Sequence, residues 1–526
     1  MGISISGFLT LAFLLFISTP SATSTSVSAT NFLKCFQSQT NLSVPNVVFT
    51  PNSSSYTSVL QSSAQNLRFL TPSTPKPKLI IMPVNESHIQ AAVICAKQNS
   101  INIRIRSGGH DYEGRSYDSR IPFIIVDLSN LRAIKVDIAS NTAWVESGAT
   151  LGELYHAIAE QSNIYGFPAG TCPTVGVGGH FGGGGMGTIV RKYGLAADNI
   201  INAHMVDANG RVLDKKSMGK GPFWAIRGGG GASFGIIFAW KVQLVPVPST
   251  VTVFTITKTL EQGATNLVQK WQLVASNFSE NLFIRLVIGA ADSAGGNKTI
   301  AVTFAGVFLG QSEQLLTMMN ESFPELGVVQ NDCIETSWIG SVLYNAGFPT
   351  GASIDVLLNK TNPNKAYFKG KSDYVKEPIS EKGLEGLWNI LLQEQSGYMI
   401  WTPYGGRMGE ISDFEIPFPH RNGNLYEIQY MVTWEAEGET KEHLHWIRRL
   451  YGYMTPFVSQ NPRSAYLNYR DLDLGINMNK NASYEQGSVW GLKYFNNNFK
   501  RLAQIKARVD PTNFFWYEQS IPLFSS

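Results

Sequence analysis

Hydrophobic and polar positions along the chain fall into three successive rhythms. From about Lys78 to Val245, short apolar runs alternate with amphipathic ones and with glycine turns. HIQAAVICAKQN carries its apolar residues at helical spacing, and INIRIRSGG runs from a strand into a turn. FIIVDLS is a continuous apolar strand, while TLGELYHAIAEQ starts an amphipathic helix after Thr150. From about Pro246 to Pro462, alternating β-type runs take over, among them VTVFTITKTL, LFIRLVIGA and TIAVTFAGVFLG, with helical pieces between them. The prolines of VPVPSTV mark the change, because proline breaks both a helix and a central strand. Beyond Pro462, AYLNYRDLDLG and WGLKYFNNNFKRLAQIKARVDPTNFF return to a compact, aromatic-rich pattern. The expectation is an α+β fold: a first unit over 30–245, a strand-rich unit over 246–462, and a last segment over 463–526 that rejoins the first.

Composition agrees with a folded chain. Hydrophobic residues make up 43% and charged ones 15% of the 526 residues, enough apolar material for a core and too little charge for a disordered chain. Lys and Arg number 42 against 39 acidic residues, and no run of like charge stands out, so nothing electrostatic points to nucleic acid. The apolar run from Gly7 to Ile17 is too short to span a bilayer and fits the core of a secretory signal peptide over about residues 1–29, although no Lys or Arg precedes it. No later run is long enough for a membrane helix, so a secreted protein without a membrane partner, extracellular in the apoplast or held in the vacuole, is expected. Asn-x-Ser/Thr acceptors at Asn41, Asn52, Asn85, Asn277, Asn297, Asn320, Asn359 and Asn481 add N-glycans to that expectation. The cysteines are Cys35, Cys95, Cys172 and Cys333, too few for a disulfide-built scaffold. Cys35 and Cys95 both lie in the N-terminal part, where a bridge would pin the first segment.

Two glycine-rich segments carry the chemical signal. One is Arg106-Ser107-Gly108-Gly109-His110-Asp111-Tyr112, and the other runs from Gly170 through Cys172, Thr174, Gly176, Gly178 and Gly179 to Gly187. Glycine lets backbone N–H groups approach an anion closely, which suits a pyrophosphate, but the same residues also serve tight turns in a strand-rich scaffold. No Gly-Lys-Ser/Thr follows, so neither is a Walker loop. His110 closes a turn directly after a strand, and Cys172 stands between Thr171 and Pro173. Metal binding fits them poorly, since there is no CxxC and no HExxH; a Cys/His hydrolase pair stays open at this point.

Taken together, RSGGHDYEG, CPTVGVGGHFGGGG, GLAADNI, FWAIRGGGGASFGI, NYRDLDLG and DPTNFFWYEQSIP resemble the plant berberine-bridge-enzyme-like flavoproteins through nearly the whole chain. The resemblance implies a two-part FAD-binding domain of the vanillyl-alcohol-oxidase type, with an antiparallel-sheet substrate domain inserted before the C-terminal segment. It also implies FAD attached twice, through His110 and Cys172. By the same carry-over, Arg106, Ser107, Gly108, Gly109 and His110 and the backbone of Thr174 to Gly179 cradle the cofactor. Ser147, Gly148, Ala149, Gly235, Tyr494 and Asn496 then fall on segments that line it. Two tethers would hold the ring in register with a substrate and raise its reduction potential.

Oxidation of an O–H, N–H or phenolic substrate needs a base near the ring. In LYEIQY, Glu427 and Gln429 share one face of a predicted strand, and NYRDLDLG supplies Tyr469; the resemblance makes Glu427 or Tyr469 the base. Met186, fourteen residues after Cys172, stands where alcohol-oxidising relatives have a tyrosine, and Glu427 where they have its activating lysine. Arg115 and Gly182 are further departures from the family pattern. Val175 is at the position of the family's oxygen gate, where a valine implies O2 as acceptor and H2O2 as product. The expected activity is oxidation of a phenolic, terpenophenolic or alkaloid plant metabolite, a small-molecule substrate, with or without ring closure. Alternatives are a carbohydrate or monolignol oxidase, a cyclase or cycloaddition catalyst without net oxidation, and a storage or allergen-like glycoprotein with idle flavin.

Overall fold

The computed structural model describes residues 22–40, 47–293, 295–361 and 365–524. Most of the expected signal peptide, residues 1–21, and the acceptor Asn41 lie outside them. The chain folds as the α+β arrangement its rhythms predict. Strands Ile80–Ile81, Phe123–Asp127 and Asn102–Arg106 pair in parallel, with Val48–Phe49 antiparallel at one edge. Parallel pairing requires a crossover, and the helix Glu86–Gln98 supplies one. Its N-cap Asn85 accepts a hydrogen bond from the His88 backbone N–H, and Ile89, Ala92, Val93 and Ala96 pack against the sheet. Cys95 on that helix is disulfide-bonded to Cys35 on the helix Ala22–Thr40, with Cα atoms 5.7 Å apart. The N-terminal segment is pinned as expected.

A second, antiparallel sheet runs in the order Ile134–Asp137, Thr142–Glu146, Ile236–Gln243, Ile200–Val206, Val212–Leu213. The helix Leu151–Ala159 follows the strand Thr142–Glu146 and starts with a reciprocal cap: the Thr150 N–H donates to Glu153 Oε2 (2.9 Å), and the Glu153 N–H donates to Thr150 Oγ1 (3.3 Å). The third sheet has seven antiparallel strands, and all of them lie between Val251 and Trp434. Its strands Leu282–Asp292, Gly397–Pro403 and Tyr426–Trp434 are adjacent, and one face packs on helices Ala264–Val274, Glu381–Leu391 and Thr440–Tyr453. The other face looks towards the glycine loops. No helix among the described residues is long and apolar enough to cross a membrane.

Buried charge ties the chain's ends to its middle. Arg104 donates to the Trp516 carbonyl (3.0 Å) and pairs with Glu518 (2.9 Å), fastening the last segment under the first sheet. Lys369 and Lys371, on the strand Tyr367–Val375, both reach Asp471 (2.6 and 2.5 Å). Lys369 also pairs with Glu113, and Lys371 with Asp473 at 3.0 Å. This network joins the histidine loop, the large sheet and the C-terminal segment.

Candidate active site

Between the two glycine loops and the free face of the seven-stranded sheet lies a cavity of about 950 Å³. The loops are pressed back to back: a Cβ on Gly108 would stand 2.3 Å from the Gly176 nitrogen, and one on Gly176 would stand 2.2 Å from the Gly108 nitrogen. Gly109 adopts φ +69°, and a Cβ there would meet the Ser63 carbonyl at 2.1 Å. Ser107 Oγ donates to the Ser147 carbonyl at 2.5 Å, and the Val177 N–H donates to the Ala149 carbonyl at 3.0 Å. These contacts make one rigid ridge of backbone along the cavity.

His110 and Cys172 both line this space. His110 Nε2 and Thr174 Oγ1 are 3.1 Å apart. Burial, aided by the nearby Lys365 charge and opposed by the Thr174 hydrogen bond, pushes the imidazole down to about 4, so it is neutral at physiological pH. The Cys172 sulfur is exposed to the cavity but ringed by protein, and burial pushes its thiol up while Arg285 opposes the shift. Thr174, Val175 and Gly178 line the wall, as does Gly235 farther along. Gly179 also lines it, and no protein atom lies within 4 Å of where its Cβ would be.

Other expected site residues lie behind the wall. The Arg106 guanidinium is fully buried, paired with Asp127 (2.5 Å) and donating to the Leu60 and Val59 carbonyls (both 2.7 Å). It braces the loop from beneath and does not line the cavity. Ser147 is also completely buried, its Oγ without a partner. Gly148 is held against the Leu128 carbonyl, 1.8 Å from where a Cβ would be. Tyr494 Oη accepts from the Asp471 N–H (3.0 Å), and Asn496 takes φ +44° at the end of the helix Tyr484–Phe495. Both organise the C-terminal segment. Arg115 and Gly182, by contrast, do line the cavity: Arg115 pairs with Asp118 and with Glu518 (3.2 Å), and Gly182 has only the Gly231 nitrogen near, at 3.6 Å.

The sheet supplies side chains by strand alternation. Tyr398, Ile400 and Thr402 come from one strand, and Gln429 and Met431 from the next. Gln429 Nε2 donates to Tyr112 Oη at 2.5 Å, and the Tyr112 ring stacks on Tyr469 with centroids 5.5 Å apart. Glu427 shares the strand face of Gln429 but sits deeper, 0% exposed and outside the lining, with both carboxyl oxygens unpartnered. Burial raises its pKa well above the usual carboxylate range, and the Asp373 charge raises it further. The Tyr469 phenol is raised too, by burial first and then by Glu427. Tyr112 and Arg285 are the site residues that sequence reasoning missed. Tyr112 stood within the first glycine motif, two residues after His110; Arg285 had only its alternation with Phe283 to reveal it.

The residues present fit FAD. A backbone ridge with an open glycine lies alongside two nucleophilic side chains that face one elongated space. Comparison with known proteins agrees. Residues 77–215 match the family described as "FAD binding domain", and residues 465–522 the one described as "Berberine and berberine like". A tetrahydroberberine oxidase of Berberis wilsoniae is 53% identical, covering 99% of this chain and 98% of its own. A monolignol oxidoreductase of Arabidopsis thaliana is 53% identical over 94% of this chain and 93% of its own. Among solved structures, the wild-type grass pollen allergen Phl p 4.0202, named a glucose dehydrogenase, matches with TM-score 0.90 at 46% identity, over 94% of this chain and 100% of its own. An isoleucine-to-valine variant of Phl p 4, named a glucose oxidase, gives the same values. The chain belongs to the berberine bridge enzyme-like family and is an FAD-linked oxidoreductase.

Proposed function

We propose that this protein is a secreted oxidase that holds FAD through both His110 and Cys172 and oxidises an aromatic plant metabolite, phenolic or alkaloid, with O2 as acceptor. The observation that carries the reading is the convergence of His110 and Cys172 on one cavity faced by Tyr469 and Gln429. The neutral imidazole of His110 has a free electron pair for attachment, and Thr174 fixes its ring. FAD, when bound, supplies the two-electron acceptor. Gln429 anchors Tyr112, and Tyr112 and Tyr469 form a stacked aromatic floor on which a planar substrate would rest. Tyr469 keeps its proton at neutral pH and offers a hydrogen bond at Oη; Glu427 lies sealed beneath the lining, so a proton leaving the substrate would reach it through Tyr469 rather than directly. Burial holds the Glu427 pKa well above the usual carboxylate value, the direction that favours proton uptake. Met186 lines the cavity without an acid–base function, which sets this site apart from the tyrosine-based alcohol oxidases.

Val175 supports O2 as acceptor. It lines the cavity three residues from Cys172, and in the same fold a change of isoleucine to valine accompanies the change of name from glucose dehydrogenase to glucose oxidase. The expected result is a yellow protein whose colour survives acid precipitation, with both His110 and Cys172 peptides carrying flavin mass, and peroxide release on aromatic substrates. Colourless protein, or either peptide unmodified, overturns the bicovalent reading. Reduced flavin that stays reduced in air overturns the oxidase reading.

A further inference from the structure

On the cavity face of the large sheet, the strand Leu282–Asp292 turns Phe283 and Arg285 towards the open space, while Ile284 and Leu286 enter the core on the other side. Arg285 differs from every other enclosed cation near the site. Arg104, Arg106, Arg115, Arg470, Lys369 and Lys371 are each paired with a carboxylate. Arg285 pairs with none among the described residues, and its Nε is buried without a hydrogen-bond partner. Its cross-strand neighbour is Ala305, too short to reach it. The groups that act on it are the Cys172 thiol and the Tyr469 phenol, both neutral near pH 7, while burial disfavours its charge.

An enclosed guanidinium without a counter-charge is costly, and a planar fork of N–H donors aimed into a cavity is matched by a planar oxyanion. We infer that Arg285 is a specificity-determining residue that binds a carboxylate on the substrate, so that the preferred substrates are aromatic acids. The inference rests on the cavity being the substrate site proposed above, and it narrows the substrate class. The aromatic floor of Tyr112 and Tyr469 receives the ring, and Arg285, beside Tyr469, receives the acid group. The Arg285 position beside Cys172 and Tyr469 places the bound acid at the Tyr469 end of the cavity.

The test is a binding measurement on the flavin-loaded enzyme, read from perturbation of its visible absorbance. Each probe acid is compared with its uncharged counterpart: benzoate with benzamide, phenylacetate with phenylacetamide, and 4-hydroxycinnamate with 4-hydroxycinnamyl alcohol. The expected result is that at least one acid binds about tenfold or more tighter than its counterpart, the scale of one charge-assisted pair. Arg285→Met removes that preference while leaving the affinity for the uncharged member within about twofold, and Arg285→Lys restores part of it. Arg285 pairs with no carboxylate among the described residues, so Arg285→Met removes an uncompensated enclosed charge and the thermal midpoint holds or rises. A wild-type enzyme in which no acid binds more tightly than its counterpart overturns the inference, as does an Arg285→Met variant that retains the preference. Acids that bind through Arg285 without reducing the flavin would leave this inference standing and overturn the proposed oxidase activity instead.

Discussion

The two walls of the cavity are built on opposite plans. The glycine ridge presents backbone, and its glycines are packed so closely that a Cβ on Gly108 or Gly176 would stand only 2.3 or 2.2 Å from the other's nitrogen. The sheet face presents side chains, Phe283, Arg285, Tyr398 and Gln429 among them, drawn from strands far apart in sequence. On the first wall, composition is dictated by the fold and by the cofactor's need for close approach. On the second, the fold dictates only that alternate residues face inwards, and the residue types are free to differ with substrate.

Gly108→Ala should give the largest effect, because its Cβ has nowhere to go: the cost exceeds about 3 kcal/mol, the upper range for overpacking, and soluble folded protein should be lost. Gly179→Ala sharpens the point. Its Cβ meets no protein atom and sits in a helical turn, so thermal stability should hold or rise by about 0.5–1 kcal/mol while flavin occupancy falls, measured as the ratio of visible to ultraviolet absorbance. Unchanged occupancy would break the assignment of that wall to the cofactor. On the sheet side, Glu427→Gln should remove an ascending limb from the pH profile of kcat/KM. Activity that needs the carboxylate is lost as pH falls through a pKa raised above the usual carboxylate value, and the amide has nothing to titrate. Gln429→Leu releases Tyr112 and should lower kcat/KM about tenfold, the scale of one buried hydrogen bond, with the thermal midpoint nearly unchanged.

The smallest expected effect is one that neither wall controls. His420 is buried against Tyr374, its Nε2 3.0 Å from the Tyr494 carbonyl, and burial lowers its pKa from about 6.5 to about 3. The unfolded chain binds this proton more readily, so the stability it contributes is complete above about pH 6.5 and is lost as pH falls towards 3. A His420→Gln variant should show a shallower acid limb in thermal midpoint against pH.

The same contrast decides what was legible beforehand. The helix after Thr150 was readable because the capping box is local, and the strands over 251–308 because alternation is local. His110 and Cys172 were readable because their glycine motifs are contiguous. Arg106 was assigned to the cofactor by its motif, yet its guanidinium serves Asp127, a partner 21 positions away that no local pattern reveals. Glu427 and Gln429 were placed on one face by period two, but nothing in that period tells that one lies sealed beneath the surface and the other on it. Arg285 was invisible because what distinguishes it is that the two strands flanking its own carry no carboxylate, and which strands those are is a property of sheet topology.

The network of Lys369, Lys371, Glu113, Asp471 and Asp473 bears on how molecules enter and leave. Hinging the large sheet away from the glycine ridge would strand several buried ions at once, each costing a few kcal/mol. The enzyme is therefore riveted as one body, so substrate and product pass by movement of side chains and loops rather than by a clamshell cycle.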